Sequence, residues 1–157
     1  MDTLASALAC RHTKFAIKTT RPTEFIDLTD RLDLLVAEAG LRSGFVNVQT
    51  LHTTTAIVVN EHEPLLLTDF VSMLERAAPD DATYRHDDKA TRTVNVTADE
   101  RNNGHAHCRA LLLSPSVCLN VVDGRLQLGR WQRVFLAELD GPRPREISVL
   151  LLGEAWR

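Results

Sequence analysis

Apolar and polar residues alternate along several stretches of the chain, and this pattern predicts β-strands that bury one face. Residues 13–20 place Phe15 and Ile17 on the same side and predict a half-buried strand. The last third of the chain shows similar stretches, broken by turn residues such as Asp123-Gly124. The pattern predicts strands at 116–122, 132–138 and 146–152. The last of these is apolar on both faces at its end, so we expect it to be a central strand. Because the connections between these strands are short, we expect them to form an antiparallel meander.

Residues 45–61 form the most strongly extended stretch, since they are rich in β-branched side chains and contain no Gly or Pro. The stretch is long for one strand, so we predict a bend near His52 with strands at about 45–51 and 54–60. A titratable ring at a strand corner, among threonine hydroxyls, is typical of the floor of a site. The alternative is a half-buried histidine that is hydrogen-bonded to a threonine.

Apolar residues at helical spacing predict two amphipathic helices. The first spans residues 23–39, with Thr23 as its N-cap and Gly40 as its stop. The second begins at Pro64, which suits the first turn of a helix, and its predicted buried face comprises Leu66, Phe70, Met73, Leu74 and Ala77. Asp69 falls at the edge of that face, where it is either a solvated flank residue or a group at the rim of a site.

A long polar segment, residues 79–103, comes directly after the second helix. A segment of this length in a compact domain is typical of a lid or a binding loop, or of disorder. Residues 93–97 predict a short strand within it. His86 lies beside two aspartates, so it belongs either to an exposed charge cluster, which the sequence favours, or to a pocket that the segment covers.

The strongest local chemical signal is His105-Ala106-His107. In a strand both rings would face the same way and could chelate one metal, whereas in a helix they point to nearly opposite sides. Gly104 before them and the apolar run that ends at Pro115 favour a short helix, in which His107 is the better inward candidate. The N–H groups at the start of this helix would also suit an anion.

Length and composition indicate a single globular domain, since 157 residues with 44% hydrophobic and 25% charged residues can bury one core. A formal net charge of −3 with no basic face argues against a nucleic-acid partner. No apolar run approaches the length of a membrane span. Residues 1–11 lack a signal-peptide pattern, so we expect a flexible tail there and a folded domain at 12–157.

The three cysteines, Cys10, Cys108 and Cys118, have no metal-type spacing. An odd number of cysteines fits a reducing compartment, which predicts a cytoplasmic protein. Cys108 and Cys118 lie among apolar residues, so we expect buried thiols rather than nucleophiles.

Four segments, in this order and spacing, resemble a known family. They are His52-Thr53-Thr54-Thr55-Ala56-Ile57 with Asn60-Glu61; Asp69-Phe70; Asn103-Gly104-His105-Ala106-His107; and the block from Gly124 to Gln132 with Leu152-Gly153-Glu154. On these segments the chain is similar, from about residue 14 to 154, to the YjbQ-like family, also called the secondary thiamine-phosphate synthase family.

The resemblance implies an α+β fold with antiparallel β-sheets and two to three helices, assembled as a homotrimer. A trimer would also cover the sheet edges of so small a domain. The resemblance further implies a polar pocket in which His52, His86 and His107 surround a divalent metal, such as zinc, or a bound anion. Asp69, Asn60 and His107 take the catalytic positions, and His105 ranks lower because that position varies in the family.

The implied activity is a weak thiamine-phosphate synthase reaction, in which a pyrimidine pyrophosphate and a thiazole phosphate are joined and pyrophosphate is released. Three neutral imidazoles could instead hold a metal that activates water, which would make the protein a metal-dependent hydrolase. The third alternative is a non-catalytic trimeric binding protein for a phosphorylated metabolite. The expected partner in every case is a phosphorylated small molecule or phosphate. Arg109 and Arg125 could add charge to the pocket, although a surface or interface position suits each of them better.

Overall fold

The computed structural model describes residues 8–156, and the chain forms eight strands and three α-helices there. The strands are β1 (Leu8–Lys18), β2 (Glu24–Asp27), β3 (Leu41–Thr50), β4 (Thr55–Glu61), β5 (Ser116–Val122), β6 (Arg125–Leu126), β7 (Gln132–Glu138) and β8 (Pro144–Ala155). The helices are α1 (Thr29–Glu38), α2 (Pro64–Ala77) and α3 (Gly104–Leu111), with a 3-10 turn at Arg85–Asp87. The predicted single α+β domain is confirmed.

The strands form two antiparallel sheets. The larger sheet has the order β1-β8-β3-β5-β6, and the smaller one has the order β2-β7-β4. Both sheets and α1 share one core, which includes Phe15, Leu32, Val46, Leu136 and Val149. A second cluster joins Leu74 of α2, Ala106 of α3 and Leu139, so these two helices pack against the smaller sheet. Among residues 8–156 no helix is long and apolar enough to cross a membrane.

The predicted meander is wrong, although the predicted strands exist. Strand β7 does not pair with β6 in the larger sheet but lies between β2 and β4 in the smaller one. Strand β8 is again part of the larger sheet, where it lies between β1 and β3. Strand β7 carries consecutive buried residues from Val134 to Glu138, because the core covers one face and the α2–α3 layer covers the other. The central position predicted for the last strand is confirmed.

The first predicted helix begins too early. Residues Glu24 to Asp27 pair with β7 as a strand, and α1 starts only at Thr29. Thr29 N–H donates to Asp27 Oδ1 (2.9 Å), and the Thr29 hydroxyl accepts from Val134 N–H (2.8 Å). Asp27, not Thr23, therefore satisfies the first N–H of the helix.

The predicted tail is also too long. Residues Leu8 to Arg11 belong to β1 and pair with β8, because the long final strand offers partners as far as Glu154. The rest of the predicted tail, residues 1–7, lies outside the described residues. Residues 93–97 form no strand, since Asn95 has a positive φ of 54° and the Arg92 side chain bonds the carbonyls of Val94 and Asn95.

Two predictions of burial are wrong. Cys108 and Cys118 are exposed, as is Cys10, because helix and strand periodicity place these positions on outer faces. Of the five residues predicted for the buried face of α2, only Leu74 is buried, while Met73 and Ala77 are exposed. The smaller sheet thus covers a narrower strip of α2 than its apolar spacing predicts.

Candidate functional site

One cavity of about 630 Å³ brings together side chains from four separate segments. They are the bend after β3, the long segment with its 3-10 turn, the start of α3, and the corner between β7 and β8. Its lining includes His52, Thr53, Thr54, His86, Arg92, Val94, Asn95, Glu100, Asn103, His107, Asp140, Arg143 and Arg145. The three histidines predicted from separate parts of the sequence therefore face one cavity.

His52 is half-buried, and its main chain bonds the hydroxyls of Thr50 (3.4 Å) and Thr55 (3.3 Å), as one of the two sequence-based alternatives expects. The ring itself is held by a main-chain N–H. The Glu146 N–H donates to Nε2 of His52 (2.8 Å). A neutral imidazole has one acceptor nitrogen, so this bond leaves Nδ1 as the N–H donor. Burial, followed by the charge of Arg145, lowers the pKa of His52. At neutral pH the His52 ring is thus a neutral donor of hydrogen bonds.

His86 and His107 form a pair of rings whose centroids lie 4.5 Å apart. Burial, followed by the charge of His86, lowers the pKa of His107. Nε2 of His86 lies 3.2 Å from Nη1 of Arg92, which is a donor, whereas neither ring nitrogen of His107 has a hydrogen-bond partner within residues 8–156. Of the three cavity histidines, His107 is therefore the one with both ring nitrogens available to a ligand.

The start of α3 is already capped by an anion of the chain itself. Oδ1 of Asp87 accepts from the N–H groups of Asn103 and Gly104, both at 3.0 Å. A Cβ on Gly104 would lie 2.4 Å from Cβ of Tyr84, so only glycine allows this close approach. The anion site predicted at this helix start is thus occupied by Asp87, and an external anion must use side-chain donors instead.

Three arginines line the cavity, and none of them was predicted from the sequence. Arg92 makes a two-pronged ion pair with Glu100 (2.9 and 3.1 Å). Arg143 pairs with Asp140 (2.8 Å), and Arg145 bonds Glu138 through Nε (2.6 Å) and Nη2 (2.5 Å). Arg143 and Arg145 are two residues apart at the entry to a strand, so their shared face was the signal available from sequence.

Glu138 lies directly beneath the cavity and is completely buried. Besides Arg145 it accepts hydrogen bonds from Thr19 and from the N–H groups of Leu139 and Asp140. Burial acts to raise its pKa, but the bonds from Arg145 and Asp140 N–H prevail and lower the pKa. This carboxylate anchors Arg145 in the wall of the cavity.

Asn103 is a further cavity residue that the sequence did not predict. Its side chain is buried, and Nδ2 donates to Oδ2 of Asp140 (2.9 Å). Its Oδ1 is the one buried side-chain N or O atom without a hydrogen-bond partner in the described part of the chain. Because this pairing depends on tertiary contacts, no local pattern in the sequence indicates it.

The other predicted site residues lie elsewhere. Asp69 is exposed on α2, and Asn60 lines a separate apolar cavity of about 190 Å³ with Phe25 and Phe70. Neither belongs to the lining of the histidine cavity, and their catalytic roles stay predictions. His105 packs against Tyr84, with ring centroids 6.4 Å apart.

Arg109 is not a surface arginine as expected. It is 3% exposed, forms an ion pair with Glu75 and donates to the carbonyl of Ala78 (2.9 Å), so it ties α3 to the end of α2. Arg125 is exposed, in agreement with the expectation.

The three imidazoles do not fit a ready-made metal site in this arrangement. Within residues 8–156, the only group of three or more candidate ligand residues whose donor atoms lie within 4.8 Å of one another is Glu75, Asp80 and Asp81. The lone pairs of His52 and His86 also face N–H donors, from Glu146 and Arg92. A metal ligand needs a free lone pair, so the cavity suits an anion better than a cation.

A second, more apolar cavity of about 460 Å³ adjoins the first. The two share His52, Thr53 and His107. The remaining lining of the second cavity consists of Thr55, Ala110, Leu111, Leu113 and Pro115. A charged group and an apolar ring can therefore be bound side by side, with His107 between them.

Comparison with known proteins gives a consistent result. The sequence profile described as "UPF0047 protein YjbQ-like" matches residues 13–154. A UPF0047 protein of Methanothermobacter thermautotrophicus is 41% identical over 138 residues, which cover 88% of this chain and 89% of the relative. One from Archaeoglobus fulgidus is 40% identical and covers 88% and 99%.

Solved structures resemble the whole fold. The crystal structure of a YbjQ-like protein of unknown function from Sulfolobus solfataricus has a TM-score of 0.82 and 33% identity, covering 94% of this chain and 100% of that one. A hypothetical protein of Aeropyrum pernix has a TM-score of 0.80 and 34% identity, covering 92% and 99%. With the profile match, these relatives show that the chain belongs to the UPF0047, or YjbQ-like, family.

Proposed function

We propose that the protein is a transferase of the thiamine-phosphate synthase type, which joins an aminopyrimidine pyrophosphate to a thiazole phosphate. The observation that carries this proposal is the pair of adjoining cavities that share His52, Thr53 and His107. A reaction between two substrates needs two binding regions that meet, and the shared residues mark where the reacting atoms would lie. The family resemblance supports the same reaction.

The polar cavity suits the pyrophosphate. Three guanidinium groups and two carboxylates, Glu100 and Asp140, line it. Within residues 8–156, Arg143 and Arg145 bond their protein partners through Nε and Nη2 and keep Nη1 for a ligand, whereas the N–H groups of Arg92 are taken up by Glu100 and by the carbonyls of His86, Val94 and Asn95. The donor nitrogen of His52 adds to this set. Arginine is suited to phosphate because its planar fork donates two parallel hydrogen bonds.

The chemistry requires charge stabilisation more than proton transfer. The lone pair of the thiazole nitrogen forms a bond to the methylene carbon of the pyrimidine, while the bond from that carbon to the pyrophosphate oxygen breaks. The pyrophosphate leaves with the electron pair, and no proton has to move. Donors already placed around the departing oxygens would stabilise the charge that develops there.

The proposal is tested by incubating the purified protein with both substrates and following thiamine phosphate by mass spectrometry. We expect equal amounts of thiamine phosphate and pyrophosphate. Phosphate or pyrophosphate release without thiamine phosphate would point to the hydrolase, and tight binding without turnover would point to the binding protein. Either result would contradict the transferase.

A divalent metal such as zinc, and a homotrimer, are separate proposals. A metal site would require His52 and His86 to turn away from the N–H groups that they now face. Metal analysis of the purified protein, together with activity before and after a chelator, tests the first. Light scattering at micromolar concentration tests the second.

Anion binding should strengthen as the pH falls. In the free protein the pKa of His107 lies below 6.5, so the ring is neutral at pH 7. A bound anion favours the protonated ring and raises this pKa, so the complex binds more protons than the free protein. We expect the affinity for sulfate, whose charge is constant in this range, to rise about threefold to tenfold between pH 8 and pH 6.

Isothermal titration calorimetry in buffers of constant ionic strength would measure this change. His107→Gln should have a clearly smaller pH dependence, because glutamine keeps a polar side chain but does not titrate. An equally steep dependence in His107→Gln would contradict the assignment to His107.

A further inference from the structure

The buried amide of Asn103 is fixed in one orientation. Its Nδ2 donates to a carboxylate oxygen of Asp140 (2.9 Å), and its main-chain N–H donates to Asp87 (3.0 Å). Rotating the amide by half a turn would bring Oδ1 against the Asp140 carboxylate, where two acceptors would face each other. The carbonyl oxygen must therefore stay where it is.

That oxygen lacks the partner that buried acceptors normally have. Asn103 is 5% exposed, and Oδ1 accepts no hydrogen bond from residues 8–156. A buried polar atom left unpaired costs about 1–3 kcal/mol, so such an atom normally pairs with an ordered water, an ion or a bound molecule. Asn103 lines the histidine cavity, which supplies that place.

The missing partner must be a hydrogen-bond donor. Oxygens of an ionised phosphate are acceptors, so they would be repelled by Oδ1 and would bind the arginines instead. Asn103 is also close to the shared residue His107, since the His107 N–H donates to the Asn103 carbonyl (3.2 Å) in the first turn of α3. The partner that Oδ1 lacks therefore belongs to the non-phosphate part of a ligand.

We infer that Asn103 is a specificity-determining residue, which selects phosphorylated ligands that carry an amino or hydroxyl donor. The inference rests on the proposed function for its ligand. In that reaction the donor is the exocyclic amine of the aminopyrimidine. An analogue without the donor leaves Oδ1 buried and unpaired, and sites of this kind reject such analogues strongly.

Calorimetry with three ligands tests the inference. They are inorganic pyrophosphate, the aminopyrimidine pyrophosphate and its analogue with hydrogen in place of the exocyclic amine. We expect the wild-type protein to bind the amine at least about tenfold more tightly than the analogue, which corresponds to one unpaired acceptor. Asn103→Ala should bind both pyrimidines equally, within about twofold, and should keep its affinity for inorganic pyrophosphate.

Two further variants control for folding. Asn103→Ser keeps a residue that suits the N-cap but removes the amide oxygen, so it should also lose the preference for the amine. It takes the place of Asn103→Ala in the test if that variant does not fold. Asn102→Ala changes the exposed neighbouring residue, which is outside the cavity lining, and should keep the preference.

The outcomes separate the inference from the proposed function. If the wild-type protein binds both pyrimidines equally, or if Asn103→Ser keeps the preference, the inference is overturned while the transferase proposal stands. If the wild-type protein binds none of the three ligands, both are overturned.

Discussion

Replacing Arg145 with methionine should lower the free energy of unfolding by about 3–5 kcal/mol, because it leaves the carboxylate of Glu138 buried without its counterion. Glu138 is fully buried, and Arg145 is 4% exposed. Methionine has a similar length and no charge, so the change removes the ion pair with little loss of packing. Denaturant unfolding followed by circular dichroism at neutral pH would measure the difference.

The matched control is Arg11→Met, which removes an arginine from an exposed ion pair with Glu38 (3.6 Å). Exposed pairs contribute about 0–1 kcal/mol, so this variant should unfold almost as the wild type does. Adding Glu138→Leu to Arg145→Met should recover part of the lost stability, since no buried charge then remains. Equal losses in Arg145→Met and Arg11→Met would contradict the role of the buried pair.

The same pair should make stability depend on pH in a definite direction. The pKa of Glu138 is lowered from 4.5 in the folded protein. Its contribution is therefore present above pH 4.5 and is lost as the pH falls through the lower folded-state value. The difference between the wild type and Arg145→Met should accordingly shrink in acid.

Local patterns were sufficient to predict most elements of the fold. The β-branched stretch around His52 predicts β3 and β4, and Pro64 predicts the start of α2, because these signals lie within the elements themselves. Strand β2 was missed because four residues are too few to distinguish alternation from helical spacing. The position of β7 was missed because the choice of sheet depends on distant partners.

The same distinction between local signals and distant partners holds for the residues of the site. Histidines are few and chemically distinctive, so His52, His86 and His107 could be selected from sequence and do face one cavity. The role of Arg145 depends on Glu138 in the preceding strand, and that of Asn103 depends on a missing partner. Pairings between distant residues leave no local pattern. The spacing of Arg143 and Arg145 indicates a shared face, but the partners of Arg145 and Asn103 could be recognised only in the folded chain.

Replacing His107 with alanine should lower kcat for thiamine phosphate formation by about 100-fold or more, which is the usual effect of removing one donor that stabilises developing charge. His107 lines both cavities and has both ring nitrogens free of partners within the described chain. It is therefore placed to donate to the leaving pyrophosphate at the point where the two substrates meet. Because this contact strengthens in the transition state, kcat and kcat/KM should fall together.

The matched control is His105→Ala, on the same short helix two residues away. His105 is half-buried against Tyr84 and lines neither cavity. Its removal should leave kcat within about threefold of the wild type, because it makes no contact that changes during the reaction. Thermal unfolding of both variants would verify that α3 remains folded. If His107→Ala kept as much activity as His105→Ala, His107 would be a wall of the cavity rather than a catalytic residue, and the reacting atoms would have to be placed nearer to Arg143 and Arg145.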